Sequence, residues 1–155
     1  MPNIIVRSAQ ERDFEFACNL YRKAGCAHAQ AEPDIFVEED TLNEERFSCE
    51  IGEQIVLVAE ADGRSMGVCT CTVLTTQRFP GLRSRKLCRI NNIAVDAACR
   101  HQGVGTALYE AAMAKAREYG CDAVQLNVWA FNENAVAFYR GLGMRCVSHR
   151  FEQVV

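Results

Sequence analysis

The sequence predicts a single domain of the α/β class (α+β), with helices packed on one sheet. Three observations support this prediction. Apolar, β-branched runs typical of strands alternate with segments whose apolar residues recur at helical spacing. The chain has 155 residues, enough to bury one substantial core. It contains no internal repeat, linker or low-complexity stretch, so residues 1–155 are expected to form one unit.

Six segments have the composition of strands, and turn residues separate them. They are residues 3–7, 54–60, 65–76, 87–95, 123–129 and 144–152. Gly63 lies in the turn that joins the second and third strands as a hairpin. Pro80 and Gly81 lie in the loop before the fourth strand.

Four segments are predicted to be helices. They are residues 8–30, 41–49, 103–119 and 132–140. Ser8 and Asn132 are residue types that cap helix N-termini, and Thr41 opens a capping-box pattern. Several alanines on the third helix allow close approach to a sheet, and Gly120 is a natural stop.

The composition excludes several classes of function. Hydrophobic residues make up 49% and charged residues 24%, as in a soluble globular protein. With 17 basic and 20 acidic residues the net charge is −3, which argues against a general nucleic-acid binder. No apolar run is long enough to span a bilayer, and the N-terminus lacks the apolar core of a signal peptide. We therefore expect no membrane partner and a cytoplasmic location.

Nine cysteines are present, an odd number, and no two of them form a CxxC pair. Cys69 and Cys71 lie two apart on a predicted strand, so both face the same side. We expect reduced cysteines that serve as small core residues in the cytosol, and no metal site.

Residues 100–106 read Arg-His-Gln-Gly-Val-Gly-Thr and connect a predicted strand to a predicted helix. Free backbone N–H groups at a helix N-terminus bind phosphate, so this turn predicts a phosphate-bearing ligand. A P-loop requires a Lys after its last glycine, where this chain has Thr106. A dinucleotide fingerprint requires a third glycine, where it has Leu108. Neither of these two phosphate-binding motifs fits.

A second motif follows the next predicted strand, where residues 132–144 read Asn-Glu-Asn-Ala-Val-Ala-Phe-Tyr-Arg-Gly-Leu-Gly-Met. Together with the Arg-x-x-Gly-x-Gly of residues 100–105, it resembles the GNAT superfamily of N-acetyltransferases. Every fixed position of the family pattern is matched except the last, where Met144 replaces a Phe. The order of predicted elements also fits, so the resemblance covers nearly the whole chain.

The resemblance implies a GNAT fold: a central mixed, mostly antiparallel sheet of six or seven strands, flanked by about four helices. It implies that the fourth and fifth strands splay apart to admit acetyl-CoA as cosubstrate, with no metal. The backbone of the turn would hold the pyrophosphate, and the fourth strand would pair with the pantetheine arm. The residues implied to bind acetyl-CoA are Ile93, Ala94, Val95, Arg100, His101, Gln102, Gly103, Val104, Gly105, Thr106, Asn132 and Tyr139.

Tyr139 looks like the family's general acid, which protonates the departing thiolate of CoA. A phenol with a pKa near about 10 stays protonated at neutral pH, yet can donate to a thiolate whose conjugate acid has a pKa near about 8.5. The base is left open. Many relatives carry a carboxylate near the position of Asn91, and an amide cannot accept the proton. Two alternatives for the proton acceptor are a water relay from backbone carbonyls and a carboxylate from residues 32–40.

The part of the site that binds the acceptor amine is expected to include His28, Pro33, Phe36 and Asn91. Residues 28–36 resemble an H-x-x-x-x-P-D-x-F segment of one GNAT subgroup, which shares the Leu-Asn-Val-Trp of residues 126–129. An acidic stretch runs from Glu32 to Glu45. It either attracts a cationic amine to the site or is an ordinary charged surface exposed to solvent.

The function implied is transfer of an acetyl group to a primary amine of a small molecule or peptide, by direct attack. The alternative is a non-catalytic acyl-CoA-binding sensor or interaction module, which Asn91 favours and Tyr139 disfavours. Small domains of this family often pair, so the resemblance leaves a homodimer open.

Overall fold

A computed structural model of the chain describes residues 2–155. It contains a five-stranded sheet and four α-helices. The strands are β1 Ile5–Ser8, β2 Ile55–Ala61, β3 Arg64–Thr75, β4 Lys86–Val95 and β5 Ala123–Leu126. The helices are α1 Phe14–Ala31, α2 Glu44–Glu53, α3 Val104–Glu118 and α4 Glu133–Gly141. Within residues 2–155, no helix is long and apolar enough to cross a lipid bilayer.

The strands follow one another in the sheet in chain order, β1-β2-β3-β4-β5. The first four are antiparallel, and β5 is parallel to β4. A parallel neighbour requires a crossover connection, which α3 provides between β4 and β5. The predicted mixed, mostly antiparallel sheet is therefore confirmed.

The two faces of the sheet are covered by different helices. Residues alternate along β2, so that Leu57 and Ala59 pack in the cluster with α3, while Val56 and Val58 pack in the cluster with α1 and α2. The α3 cluster also contains Cys69, Cys71 and Cys88, which are fully buried. All nine cysteines are free, and the buried ones pack as small apolar residues.

One partly buried ion-pair network joins β1 to the start of α1. Arg7 donates to both carboxylate oxygens of Asp13, at 2.8 and 2.9 Å, and to Glu60 on β2 at 3.0 Å. Burial acts to raise the pKa of Asp13, but Arg7 and the backbone N–H of Gln10 outweigh it and hold that pKa below its usual value. The network explains why α1 begins at Phe14, after a short 3₁₀ turn, and not at the predicted cap Ser8.

The prediction of six or seven strands is wrong, because the sheet has five. Residues 144–152, predicted as the last strand, form no strand, since nothing in the described chain pairs with them. β5 ends at Leu126 and not at Trp129, because its partner β4 diverges from it there. The second helix begins at Glu44, after Asn43 and not Thr41, since the Asn43 side chain accepts from Arg46 N.

Gly67 on β3 allows α3 to approach the sheet closely. A Cβ at this position would lie 2.9 Å from the backbone oxygen of Ala94, 3.0 Å from Leu108 and 3.1 Å from Val104. The last two contacts are side chains of α3. A larger residue at position 67 would therefore push α3 away from the edge of β4.

We predict that Gly67→Ala lowers the free energy of unfolding by about 1–3 kcal/mol, because overpacking forces backbone shifts. Gly52→Ala is the matched control, since a Cβ there meets nothing within 4 Å in helix α2. That change should leave stability unchanged or raise it by up to about 1 kcal/mol. Urea unfolding followed by circular dichroism measures both. Equal stability of the two variants would contradict the role assigned to Gly67.

Candidate active site

A cleft opens in the sheet where β4 and β5 separate. Their pairing runs from Leu87–Ala123 to Ile90–Leu126 and ends there, while β4 continues to Val95 paired with β3 alone. The edge of β4 that faces away from β3 is thus left without a strand. A cavity of about 390 Å³ lies in this gap, lined by α1, the loop after it, β4, the segment after β5, and α4.

A β-bulge sits at the point of separation. Thr70 pairs with Asn92 and Cys71 with Ile90, so Asn91 is an extra residue on β4. Bulges bend a strand and increase its local twist, which turns β4 away from β5. The side chain of Asn91 donates from Nδ2 to Thr72 Oγ1 at 2.6 Å. Asn91 therefore lines the cavity as a hydrogen-bonded amide and not as a base.

The turn of residues 100–106 presents free backbone donors. His101 has φ 59° and Gly103 has φ 85°, both in the left-handed region. Within residues 2–155, no backbone N–H between Arg100 and Thr106 donates to another protein group, and the first bond of α3 is from Ala107 N to the oxygen of Gly103. Free N–H groups at a helix N-terminus form an anion site. The free N–H groups that the sequence predicts for this turn are present, and phosphate binding stays a prediction.

The two sequence motifs meet in space. A Cβ on Gly105 would lie 3.2 Å from Cζ of Phe138, so the second glycine of the turn lets α3 pack directly against α4. The neighbouring ring of Tyr139 packs edge-on against Phe138, with centroids 5.0 Å apart. The turn of residues 100–106 and Tyr139 are therefore held together by one contact between the two helices.

Tyr139 lies on the inner face of α4 and is 8% exposed. It lines the cavity. Burial, with a smaller contribution from Cys69, raises the pKa of its phenol well above the usual range. The hydroxyl therefore keeps its proton at neutral pH.

Asn132 both caps a helix and lines the cavity. Its side-chain oxygen accepts from Ala135 N at 3.2 Å and caps α4. The residue also lines the cavity. The capping role is observed, and the cofactor contact stays a prediction.

His28 and Phe36 line the cavity with Asn91, whereas Pro33 lies on an exposed turn outside it. The His28 ring packs against Phe36 at 5.0 Å and Phe131 at 5.5 Å. Its Nδ1 lies 2.6 Å from the backbone oxygen of Ala24. A carbonyl oxygen only accepts, so Nδ1 carries the hydrogen and Nε2 of the neutral ring has the free lone pair.

Sequence reasoning did not assign Tyr21 or Trp129 to the site, yet both line the cavity. The hydroxyl of Tyr21 lies 2.7 Å from Thr70 Oγ1, and burial raises the pKa of Tyr21 to about 12. Trp129 is 43% exposed, and its ring packs edge-on against Phe36 at 4.8 Å. Tyr21 falls on the apolar stripe of α1. Residues that pack in the core and residues that line a cavity have the same helical spacing, so the sequence alone does not separate them.

Of the acidic stretch, Glu39 reaches the cavity wall. Asp40 is paired with Arg22 at 2.8 Å on the surface, and this exposed pair holds the pKa of Asp40 below its usual value. Among residues 2–155, no cluster of three or more His, Cys, Asp or Glu side chains is arranged to hold a metal ion.

Comparison with known families agrees with this geometry. Residues 24–144 match the family described as acetyltransferase (GNAT) family. The chain belongs to the GNAT acetyltransferase family. The splayed strands, the turn before α3 and the Asn132 motif are thus features of a GNAT domain.

Two curated relatives carry the same family activity in their names. An uncharacterized N-acetyltransferase of Methanocaldococcus jannaschii is 33% identical over 88 residues, which cover 56% of this chain and 37% of that protein. An uncharacterized N-acetyltransferase of Lactobacillus delbrueckii subsp. lactis is 30% identical over 112 residues, covering 68% of this chain and 61% of that protein. The aligned region spans less than two thirds of either relative.

Solved structures extend the likeness to the whole fold. A mutant of the BH1408 protein from Bacillus halodurans is 31% identical, with a TM-score of 0.92 over 97% of this chain and 99% of that one. An aminoglycoside N-acetyltransferase in complex with CoA has a TM-score of 0.74 over 100% of this chain and 96% of that one. At 14% identity, the second likeness shows the fold alone.

Proposed function

We propose that this GNAT domain is an acetyl-CoA-dependent N-acetyltransferase, which acetylates a primary amine of a small molecule or peptide by direct attack. One observation carries the proposal. An unpaired strand edge and a protonated phenol line one cavity, and the row of free N–H groups begins α3, whose Gly105 packs against Phe138 beside that phenol. Acetyl-CoA supplies the acetyl group as a thioester.

The residues of the turn and of β4 are suited to bind acetyl-CoA, the acetyl donor. The N–H groups of Gly103, Val104, Gly105 and Thr106 are suited to the pyrophosphate, because the α3 dipole adds favourable charge there. The free edge of Ile93, Ala94 and Val95 is suited to the amide groups of a pantetheine arm, which pairs as an added strand would. A backbone N–H of the same edge would stabilise the oxyanion.

Proton movement is assigned to two side chains that line the cavity, Tyr139 and His28. Tyr139 donates its phenolic proton to the departing thiolate. His28 accepts the proton of the attacking amine at Nε2, since its Nδ1 is committed to Ala24. Glu39 is the alternative acceptor, because it is the carboxylate of residues 32–40 that lines the cavity.

A non-catalytic acyl-CoA sensor is the second candidate, favoured by the amide of Asn91 at the bulge. Incubation with acetyl-CoA and a panel of aminoglycosides, polyamines and peptide N-termini separates the two. Free CoA and acetylated product are quantified by chromatography, because the nine cysteines react with thiol dyes. Product from one amine supports the enzyme. Tight binding of acetyl-CoA with no product from any amine supports the sensor.

We predict that Gly103→Glu weakens CoA binding at least about tenfold, or about 1.4 kcal/mol, because a carboxylate there repels the pyrophosphate. Gly63→Glu is the matched control, since Gly63 has φ 73° against 85° for Gly103 and a Cβ meets nothing at either position. Both variants therefore carry the same backbone strain. Isothermal titration calorimetry measures binding. Equal affinities in the two variants would remove the turn from the CoA site.

We predict that Tyr139→Phe lowers kcat by about 10²–10⁴, with little change in the affinity for acetyl-CoA. Tyr119→Phe is the control, because Tyr119 lies 48% exposed at the end of α3. The raised pKa of Tyr139 keeps its reactive form present as the pH rises. The wild-type rate should therefore show no alkaline fall up to about pH 10. Full kcat in Tyr139→Phe refutes the general acid.

We predict that His28→Gln lowers kcat/KM at pH 7 by about tenfold or more, and that the loss shrinks as the pH rises. The acceptor amine loses its own proton at high pH and then needs no base. Affinity for CoA should not change. If Glu39→Gln gives this pattern and His28→Gln does not, the carboxylate is the base.

A further inference from the structure

Four aromatic rings from three separate segments form one cluster at the cavity. His28 lies on α1 and Phe36 in the loop after it, while Trp129 and Phe131 follow β5. The Phe36 ring lies 5.0 Å from that of His28 and 4.8 Å from that of Trp129. Phe131 packs edge-on against His28 at 5.5 Å. None of these residues belongs to the set assigned to acetyl-CoA, so the rings are available to the acceptor.

The cluster presents apolar surface to the cavity. Trp129 is 43% exposed, although Phe36 holds its ring edge-on. Val37, which also lines the cavity, is 71% exposed. Aromatic rings that are fixed by their neighbours bind apolar and aromatic groups well, because both surfaces leave water and ring contacts add to the gain. The cavity therefore favours an acceptor with an aromatic or apolar body.

The charges of the cavity wall disfavour an acceptor with an anionic group. Among the residues of the described chain that line the cavity, none is Lys or Arg. Arg22 lies on the same helix as His28, but its guanidinium is paired with Asp40 at 2.8 Å. A carboxylate or phosphate on the acceptor would thus enter the cavity without a cation to pair with it, which is costly.

The same wall gives little support to an acceptor with several positive charges. Of the lining residues in the described chain, Glu39 is the one carboxylate. The amide of Asn91 is committed to Thr72. A second or third ammonium group in the cavity would therefore lack a charged partner. One carboxylate suits an acceptor with one ammonium group.

His28 connects the aromatic cluster to the proposed chemistry. Its Nε2 is the group assigned to accept the proton of the attacking amine, and its ring contacts Phe36 and Phe131 directly. An amine whose proton reaches Nε2 thus has its substituent beside these rings. A short alkyl spacer between the nitrogen and an aromatic group satisfies both contacts.

We propose that the acceptor is a primary monoamine that carries an aromatic group on a short alkyl spacer and has no anionic group. This acceptor class rests on the proposed function, which supplies the donor and the reaction. The amine nitrogen forms a bond to the acetyl carbon as the carbon–sulfur bond of the thioester breaks. The proton of the amine goes to His28, and the departing thiolate takes the proton of Tyr139.

A panel of matched amines tests the proposal on the wild-type protein. We expect kcat/KM for 2-phenylethylamine to exceed that for phenylalanine at least about tenfold, because phenylalanine adds a carboxylate that finds no cation. Phenylalaninamide keeps the bulk without the negative charge and should recover most of that loss. Butylamine lacks the ring and should be at least about tenfold poorer than 2-phenylethylamine. Spermidine and kanamycin carry several ammonium groups and should also be poorer.

A variant and a binding measurement test the aromatic cluster directly. Phe36→Ala should lower kcat/KM for 2-phenylethylamine at least about tenfold, with unchanged affinity for acetyl-CoA. Ile35→Ala is the matched control, since Ile35 is 46% exposed and lies outside the cavity wall. Trp129 is the single tryptophan of the chain, so its fluorescence reports on the cluster. 2-Phenylethylamine should protect it from quenching by acrylamide, and phenylalanine should not.

The outcomes separate this proposal from the proposed function. Preferred acetylation of spermidine, kanamycin or phenylalanine would keep the enzyme and overturn the acceptor class. Equal kcat/KM for phenylalanine and its amide, or unchanged kinetics in Phe36→Ala, would also overturn it. If no amine gives product, the proposed function fails and Trp129 decides alone. Protection by 2-phenylethylamine and not by phenylalanine then supports the cluster as an aromatic-amine site, and absence of protection overturns that as well.

Discussion

The termination of hydrogen bonding between β4 and β5 at the pair Ile90–Leu126 is the constraint on which the site depends. Beyond it, β4 is held by β3 alone, and the bulge at Asn91 bends it away from β5. Backbone groups left free inside a sheet are costly unless water or a ligand pairs with them. The gap therefore favours a ligand with its own amide groups, held in an extended conformation.

Close packing of α3 places the second half of the site against this gap. Gly67 lets α3 reach the sheet, and Gly105 lets it reach Phe138 of α4. The N-terminus of α3 and the phenol of Tyr139 are thus fixed relative to the free edge of β4. Two glycines with no reactive side chain of their own therefore determine how the turn of residues 100–106 and the phenol of Tyr139 are spaced.

The sequence predicted the helix that follows the turn and the helix that follows Asn132 better than it predicted the edges of the sheet. The turn and the Asn132 motif depend on local backbone chemistry, which short patterns encode. Tyr21 and Trp129 escaped assignment because apolar periodicity does not distinguish a core from a cavity wall. Residues 144–152 have the composition of a strand. Composition does not specify a neighbouring strand, because strand pairing depends on residues distant in the sequence.

β5 borders the cleft on the side of β4 and forms the outer edge of the sheet on the other side. The segment that follows it carries Asn127 and Trp129 into the cavity wall, and Trp129 in turn contacts Phe36. An edge strand that is paired on one side only, and over four residues, is free to fray. Fraying of β5 would therefore shift Trp129 against Phe36 and change the wall of the cavity.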